Sequence, residues 1–382
     1  MIQNATSRPT VMEVDLSALT HNLQAIRAHV GKTKIMAVVK ANAYGHGLIE
    51  SARQLEADGA DYLGVALVEE GIELRRAGIT QPILVFGGLY QEQLNTYLDY
   101  DLDVTASSTD KLLAIEAAAM MRGITTRVHL KIDTGMNRVG VQHDRLASFA
   151  DAVLECKNIH IAGVYSHLAV AEDPDQHFTQ IQIARFENAL YYLKVRNIPW
   201  DLAHLANSAG LLGFPNSHFD MVRPGLALYG AAPAPHLENI LPLRPAMTLK
   251  SQVVYFKVIH AGQGISYGQK WRTDRDTRIV TVPIGYGDGY SRRLSGRGEV
   301  LIRGHRYSIV GTICMDQMMV EIGPAGERPQ NKPNEAFNGD EVVLIGRQGS
   351  EEITVAELAE ILETTPHEIL TATNLRVPRV YL

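Results

Sequence analysis

Cysteine is nearly absent from this chain: Cys156 and Cys314 are the only two in 382 residues. That is too few for a disulfide framework or a thiolate metal cluster. No uninterrupted apolar run reaches the ~18 residues of a membrane span, and the N-terminal MIQNATSRPT lacks the apolar stretch of a signal peptide. Positive charge is not in excess either. A formal net charge of -6 gives no reason to expect nucleic acid or an acidic membrane as partner. A cytoplasmic protein is the expectation. No pair among the 14 histidines has convincing metal-ligand spacing, and no metal is expected. HEIL at 367–370 lacks the second histidine of a zinc protease helix, and no serine sits in a nucleophile elbow. GQGISYG (262–268) and GYGDG (285–289) match neither a dinucleotide fingerprint nor a phosphate loop, so they read as turns.

What is present is ordinary in bulk and informative in pattern. Hydrophobic residues make up 46% and charged residues 20%, as in soluble globular proteins. The length suffices for two or three domains of about 150 residues. In DLSALTHNLQAIRAHVG, Leu19, Leu23, Ile26 and Val30 share one helical face, with Gly31 as the stop. From residue 34 to residue 225 there follow eight short apolar runs: KIMAVVK, YLGVAL, ILVFGG, DVTAS, RVHLKID, IAGVYSH, LAHLANS and DMVRPG. Most are separated by helical patterns. Strands alternating with helices imply parallel pairing, and eight of them suggest a closed barrel with helices outside; a doubly wound open sheet is the competing architecture.

The texture then changes. AAPAPHLENILPLRPAM reads as a domain crossing, and from about residue 246 the pattern becomes strand, turn, strand. The expected organisation is an (β/α)8 barrel over residues 1–240 followed by a mostly β domain over 241–382. TVAELAEILETTPHEILTAT near the end reads as two short helices broken at Pro366. No basic recognition face accompanies them, so they are surface helices rather than a DNA reader.

In such barrels the active site sits at the C-terminal ends of the strands. Lys40, His167, Asn207, Ser208 and Arg223 all fall at ends of apolar runs, so several polar groups are expected to converge on one mouth. A lysine at a strand end is most often a solvated surface group. A crowded one loses its proton easily and forms a Schiff base with a carbonyl cofactor. If that cofactor is pyridoxal phosphate, Ser208 and the backbone amides of Gly225 and Leu226 are available as a phosphate cradle, and Arg223 for the ring nitrogen.

AVVKANAYGHG strongly resembles the cofactor-attachment signature of alanine racemases. The likeness continues in order through LKIDTGMNRVG, GVYSHLA, HLANSAG, MVRPGLALYG, GISYG, IGYGDGY, GTICMDQ and RVPR. The resemblance implies a pyridoxal-phosphate enzyme with an eight-stranded barrel and a β domain, working on alanine as a homodimer with shared active sites and supplying D-alanine for cell-wall peptidoglycan. By the same resemblance Lys40 carries the cofactor and is one catalytic base. Tyr267, reaching over from the other subunit, is the second. Tyr44, Ser208, Gly225 and Leu226 match phosphate contacts, Arg223 faces the pyridine nitrogen, and His167 supports that arginine. Arg138 is similar to the group binding the substrate carboxylate, Met315 and Asp316 line the pocket, and Tyr286 resembles an entrance residue. Lys131 matches a lysine that often carries a carbamate and orients Arg138.

One position departs from the family pattern. Leu375 stands immediately before RVPR, where the family commonly has a tyrosine touching phosphate. The lost hydroxyl removes a hydrogen bond worth about 0.5–1.5 kcal/mol. Competing functions are a racemase of broader range that accepts serine or others, a related decarboxylase, and a non-catalytic pyridoxal-phosphate-binding protein. The residues beyond the barrel, Tyr267 among them, favour the enzyme.

Overall fold

A computed structural model of the chain describes residues 8–325 and 336–382. It separates into two compact units, one spanning Ala18–Arg244 and the other joining the segment that ends at Ser17 to Pro245–Leu382. The boundary thus falls at 244/245, a few residues beyond the expected 240/241. The N-terminal strand goes with the C-terminal unit. Pairing, not sequence position, decides that membership: Val11–Val14 runs antiparallel to Met247–Gln252 and parallel to Arg379–Tyr381.

In the first unit, all eight apolar runs contain strands: Lys34–Val38, Tyr62–Val65, Ile83–Val85, Val104–Ala106, Thr126–Asp133, Ile159–Tyr165, Leu202–His204 and Met221–Val222. They form two parallel arcs. Backbone bonds close both seams. At one, Asp103 N–H donates to the Ile83 carbonyl (2.8 Å) and Val85 N–H to the Asp103 carbonyl (3.2 Å). At the other, Asp220 N–H donates to Ala203 (3.0 Å) and Arg223 N–H to Ala206 (2.9 Å). An open sheet would leave two edges unpaired, so the doubly wound alternative is excluded. Met36, Tyr62, Leu84, Tyr165, Leu202 and Met221 fill one cluster drawn from six of the strands, which makes the interior a packed core rather than a pore.

The helices follow their patterns. Leu16–Val30 buries Leu19, Leu23, Ile26 and Val30, the anticipated face, and Gly31 at φ +63° ends it. Ser108 caps Thr109–Arg122 by accepting from Lys111 N–H, and Gly123 closes the helix in the left-handed region.

The second unit is built on a ten-stranded sheet. The stretch SQVVYFKVIH, whose pattern suits a single strand, is the end of one strand and the whole of another, Met247–Gln252 and Tyr255–Ile259. The break is a change of partner. Val253 N–H bonds the Asp340 carbonyl on one side, while Val254 N–H bonds that of Thr281 on the other. The terminal helices are Val355–Leu362 and Pro366–Ala372, with Pro366 at the first helical position, where its missing N–H costs nothing.

Candidate active site

Lys40 lies two residues beyond its strand, at the start of a left-handed turn. Ala41, Asn42, Ala43 and Tyr44 all have φ between +52° and +55°. For residues with a Cβ this costs roughly 1–2 kcal/mol each, so the turn persists only because its surroundings over-determine it. Ala43 N–H reaches the Val39 carbonyl (2.8 Å) and Gly45 N–H that of Ala41 (3.0 Å). The Glu70 carboxylate accepts from the N–H groups of Ala41 (2.6 Å), Ala66 (2.8 Å) and Leu67 (3.1 Å). Asn42 Oδ1 accepts from Leu48 N–H (2.8 Å). Burial, followed by the positive charge of Arg138, pulls the Lys40 ammonium below its ordinary pKa; Glu70 opposes and Arg223 adds to the effect. A strand built for burial ends on this lysine because the site that receives it lowers its charge.

Arg223 is 4% exposed. Its Nη2 donates to the carbonyls of Ser166 (2.7 Å) and Leu205 (2.9 Å) and lies 3.3 Å from His167 Nδ1, while Nη1 is 3.0 Å from His204 Nδ1. Its guanidinium carbon stands 5.5 Å from the Tyr165 ring centre. Burial brings its pKa down to about 10, which still leaves it cationic at neutral pH. His167 is held well below the ordinary histidine value by burial and by the cations Arg223, Lys131, Arg138 and Lys40, so it serves as a neutral acceptor.

Lys131 is buried, with Nζ 4.8 Å from the Tyr165 ring centre, and burial together with Arg223 drives its pKa far down. Between that lowered value and the value in the unfolded chain, the unfolded state binds a proton that the folded state does not. Stability therefore rises with pH across the window. Lys131→Met is expected to raise the melting temperature of cofactor-free protein at neutral pH in carbon-dioxide-free buffer and to flatten that pH slope; a lowered melting temperature would contradict the burial cost.

A cradle is formed at the turn that carries Gly225. Ser208 Oγ accepts from the N–H groups of Gly225 (3.0 Å) and Ala227 (3.2 Å). Tyr44 stacks on Tyr229, ring centres 4.9 Å apart. A Cβ on Gly225 would sit 2.2 Å from the Tyr44 hydroxyl oxygen, so glycine is what lets that hydroxyl reach the backbone of the turn. Gly225→Ala is expected to lose about 1–3 kcal/mol of stability and to weaken pyridoxal phosphate binding. Adding Tyr44→Phe should recover part of the melting temperature, and a single variant as stable as wild type would refute the clash. The residues fit pyridoxal phosphate: a lysine of reduced charge, a phenol and hydroxyl at a glycine turn, and an arginine whose Nε–H makes no hydrogen bond among the described residues.

Tyr267, Tyr286, Met315 and Asp316 belong to the other unit. Tyr267 is 72% exposed, and its carbonyl accepts from Thr312 Oγ1 (3.0 Å). The GYGDG turn docks on the ICMD segment: Tyr286 N–H donates to the Cys314 carbonyl (3.1 Å) and Gly287 N–H to that of Met315 (2.8 Å). This brings Tyr286 and Met315 into one cluster, with Asp316 paired to Arg376 at 2.6 Å. Leu375 beside it is 87% exposed. Sequence reasoning missed three buried residues beneath Arg223, namely Asp103, His129 and His204. The available signal was a histidine inside each of two apolar strands.

The comparisons with known proteins agree with this layout. Residues 14–233 match the model of the alanine racemase N-terminal domain and residues 246–381 that of the C-terminal domain. The alanine racemase of Symbiobacterium thermophilum is 44% identical over 98% of this chain and 97% of its own length. Among solved structures, alanine racemase from D-cycloserine-producing Streptomyces lavendulae superposes with a TM-score of 0.93 at 38% identity, covering 99% of this chain and 98% of that one. A histidine racemase from Leuconostoc mesenteroides subsp. sake gives 0.88 at 30% identity, covering 99% of each. With both family domains matched in order along nearly its whole length, this chain belongs to the alanine racemase family.

Proposed function

We propose that the protein interconverts L- and D-alanine with pyridoxal phosphate, using Lys40 and Tyr267 as bases on opposite faces of the α-carbon. The cofactor, when bound, withdraws electrons from that carbon and so acidifies its proton. The rest is the chain's work. Inversion needs a proton removed from one face and another delivered to the opposite face, hence two bases. Lys40 would hold the cofactor and, when free of it, would act as an amine base whose basicity burial and Arg138 have moved toward neutrality. Tyr267 serves the other face. Tyr44, Ser208, Gly225 and Leu226 hold the phosphate. Arg223 gives the ring nitrogen a hydrogen bond and keeps its own proton, with His167 beside it. Arg138 takes the substrate carboxylate, and Lys131, as a carbamate, orients it. Met315 and Asp316 line the pocket, and Tyr286 guards its entrance. The D-alanine formed supplies peptidoglycan, the role the family implies.

The observation that carries the reading is the lysine of lowered pKa on a strained turn, in one barrel with an arginine held by four backbone or imidazole partners and a glycine-serine-tyrosine cradle. Chiral chromatography of L-alanine incubated with protein and pyridoxal phosphate should show D-alanine rising to an equal mixture. No D-alanine, or released carbon dioxide instead, would overturn it.

The working form is a homodimer in which each subunit lends Tyr267 to its partner's site. Support comes from the exposure of that phenol, from the exposed Tyr255, Phe256 and Val258 on the end strand of the sheet, and from a groove of about 400 Å³ shared by Tyr255, Lys257, Tyr267 and Met319. Among the described residues no helix is long and apolar enough to cross a membrane; we place the enzyme in the cytoplasm. A second reading, a racemase of broader range, draws on the likeness to the histidine racemase, and racemisation of L-serine or L-histidine at a rate comparable with alanine would favour it.

A further inference from the structure

Arg223 does not end at its imidazole partner. His204 Nε2 lies 2.9 Å from His129 Nδ1, and His129 Nε2 lies 3.1 Å from Asp103 Oδ2. Asp103 is anchored in turn by Tyr62, whose hydroxyl donates to Oδ2 (2.7 Å), and by Arg127, whose Nε donates to Oδ1 (3.0 Å) and whose Nη2 bonds the Tyr62 hydroxyl. Both histidines are wholly buried and Asp103 is 2% exposed, while the Arg127 side chain is 37% exposed. An unbroken line of hydrogen bonds thus runs from a partly exposed cation through the barrel interior to the guanidinium at the site.

The direction of every proton on that line follows from one fact: a guanidinium only donates. His204 Nδ1 must then accept, and its proton resides on Nε2. That proton leaves His129 Nδ1 no role but acceptor, so the His129 proton resides on Nε2 and points at Asp103. Asp103 as carboxylate only accepts, which closes the chain without a clash. Burial pushes the Asp103 carboxyl upward, and the bonds from His129, Arg127 and Tyr62 more than offset it. A second observation shows that room has been made for the line. Gly163 sits beside the imidazole pair, where a Cβ would lie 2.3 Å from His129 Nδ1 and 3.0 Å from His204 Nε2. Any side chain at 163 would intrude on the bond between the two histidines.

We propose that Asp103, acting through His129 and His204, is a positioning residue for Arg223: it locks both imidazoles as Nε2–H tautomers and so fixes which guanidinium hydrogens remain for a ligand. Were His129 to reverse, His204 would turn an N–H toward Arg223, donor against donor, and the guanidinium would lose its Nη1 acceptor. This rests on the reading of Arg223 as the residue facing the cofactor ring only for its consequence in catalysis. The lock itself belongs to the protein alone.

The test is ¹⁵N NMR of histidine-labelled, cofactor-free protein, with the two rings assigned through His129→Gln and His204→Gln. Wild type should show a protonated Nε2 and a bare Nδ1 at both residues; a protonated Nδ1 or a doubly protonated ring at either would overturn the proposal. Asp103→Asn keeps an acceptor oxygen and should preserve the His204 pattern. Asp103→Leu removes it and should shift the His204 resonances, although residue 103 does not touch that ring. Gly163→Ala should produce a similar shift with Asp103 intact, and it decides the matter if the leucine variant does not fold. Unchanged His204 resonances in a folded Asp103→Leu or Gly163→Ala protein would refute the relay. Titration with pyridoxal phosphate then reads the consequence: affinity falling about tenfold in Asp103→Leu, equivalent to one good hydrogen bond, and held in Asp103→Asn. If wild type fails to bind the cofactor, the reading of the pocket fails while the tautomers still judge the lock.

Discussion

Lys40→Ala is expected to lower racemase turnover by at least ~10⁴-fold and to remove the covalently held cofactor at the same time. Both losses have one origin. In the proposed mechanism the same nitrogen tethers the cofactor and later moves a proton at the α-carbon. Its pKa is already lowered by burial and Arg138, so no other amine in the barrel is equivalent. Lys131 is also depleted of charge, yet it is buried against Tyr165 and, among the described residues, bonds only the Ile132 carbonyl, at 3.4 Å. The check is racemase activity alongside mass spectrometry after borohydride reduction. Wild type should carry one reduced cofactor at residue 40 and the variant none. Appreciable activity in the variant without an added amine would end the assignment.

Tyr267→Phe should cost about 10²–10⁴-fold in racemisation while sparing one half-reaction. With the phenol hydroxyl gone, the face assigned to Lys40 should still exchange its proton. Deuterium from solvent should therefore enter the α-position of one enantiomer of alanine and not the other. Equal loss of exchange from both enantiomers would refute the division of faces. Because Tyr267 is 72% exposed in the single chain, a mixed dimer also bears on the shared site. Combining Lys40→Ala subunits with Tyr267→Phe subunits should regenerate one competent site per heterodimer, whereas sites built within one chain would stay inactive.

The barrel was legible because a strand covered on both faces is built around buried apolar residues, and each of the eight runs from KIMAVVK to DMVRPG has them. The split of SQVVYFKVIH was not, since Val253 and Val254 suit a strand as well as their neighbours do and only distant partners decide the break. The same holds for VMEV, whose pairing with Arg379–Tyr381 is a contact across nearly the whole chain. The residues of the proposed site could be numbered from motifs, yet Asp103, His129 and His204 stayed hidden. A histidine inside an apolar strand looks like a satisfied core group, and only geometry shows that two of them are joined nitrogen to nitrogen. Nor does ANAY announce its handedness. Alanine and tyrosine carry no turn signal, and the positive-φ stretch begins at Ala41, ahead of the glycines at 45 and 47 that continue it.

The left-handed stretch changes what the most diagnostic part of this sequence means. AVVKANAYGHG serves as a fingerprint of its family, and it is tempting to read each letter as reagent. Between Lys40 and Tyr44, however, the letters are chosen for what they permit the main chain to do: two small alanines and an asparagine tolerate a fold that valine or isoleucine would refuse. Much of the information in the motif is therefore architectural grammar, and in the proposed site only Lys40 and Tyr44 speak to the ligand.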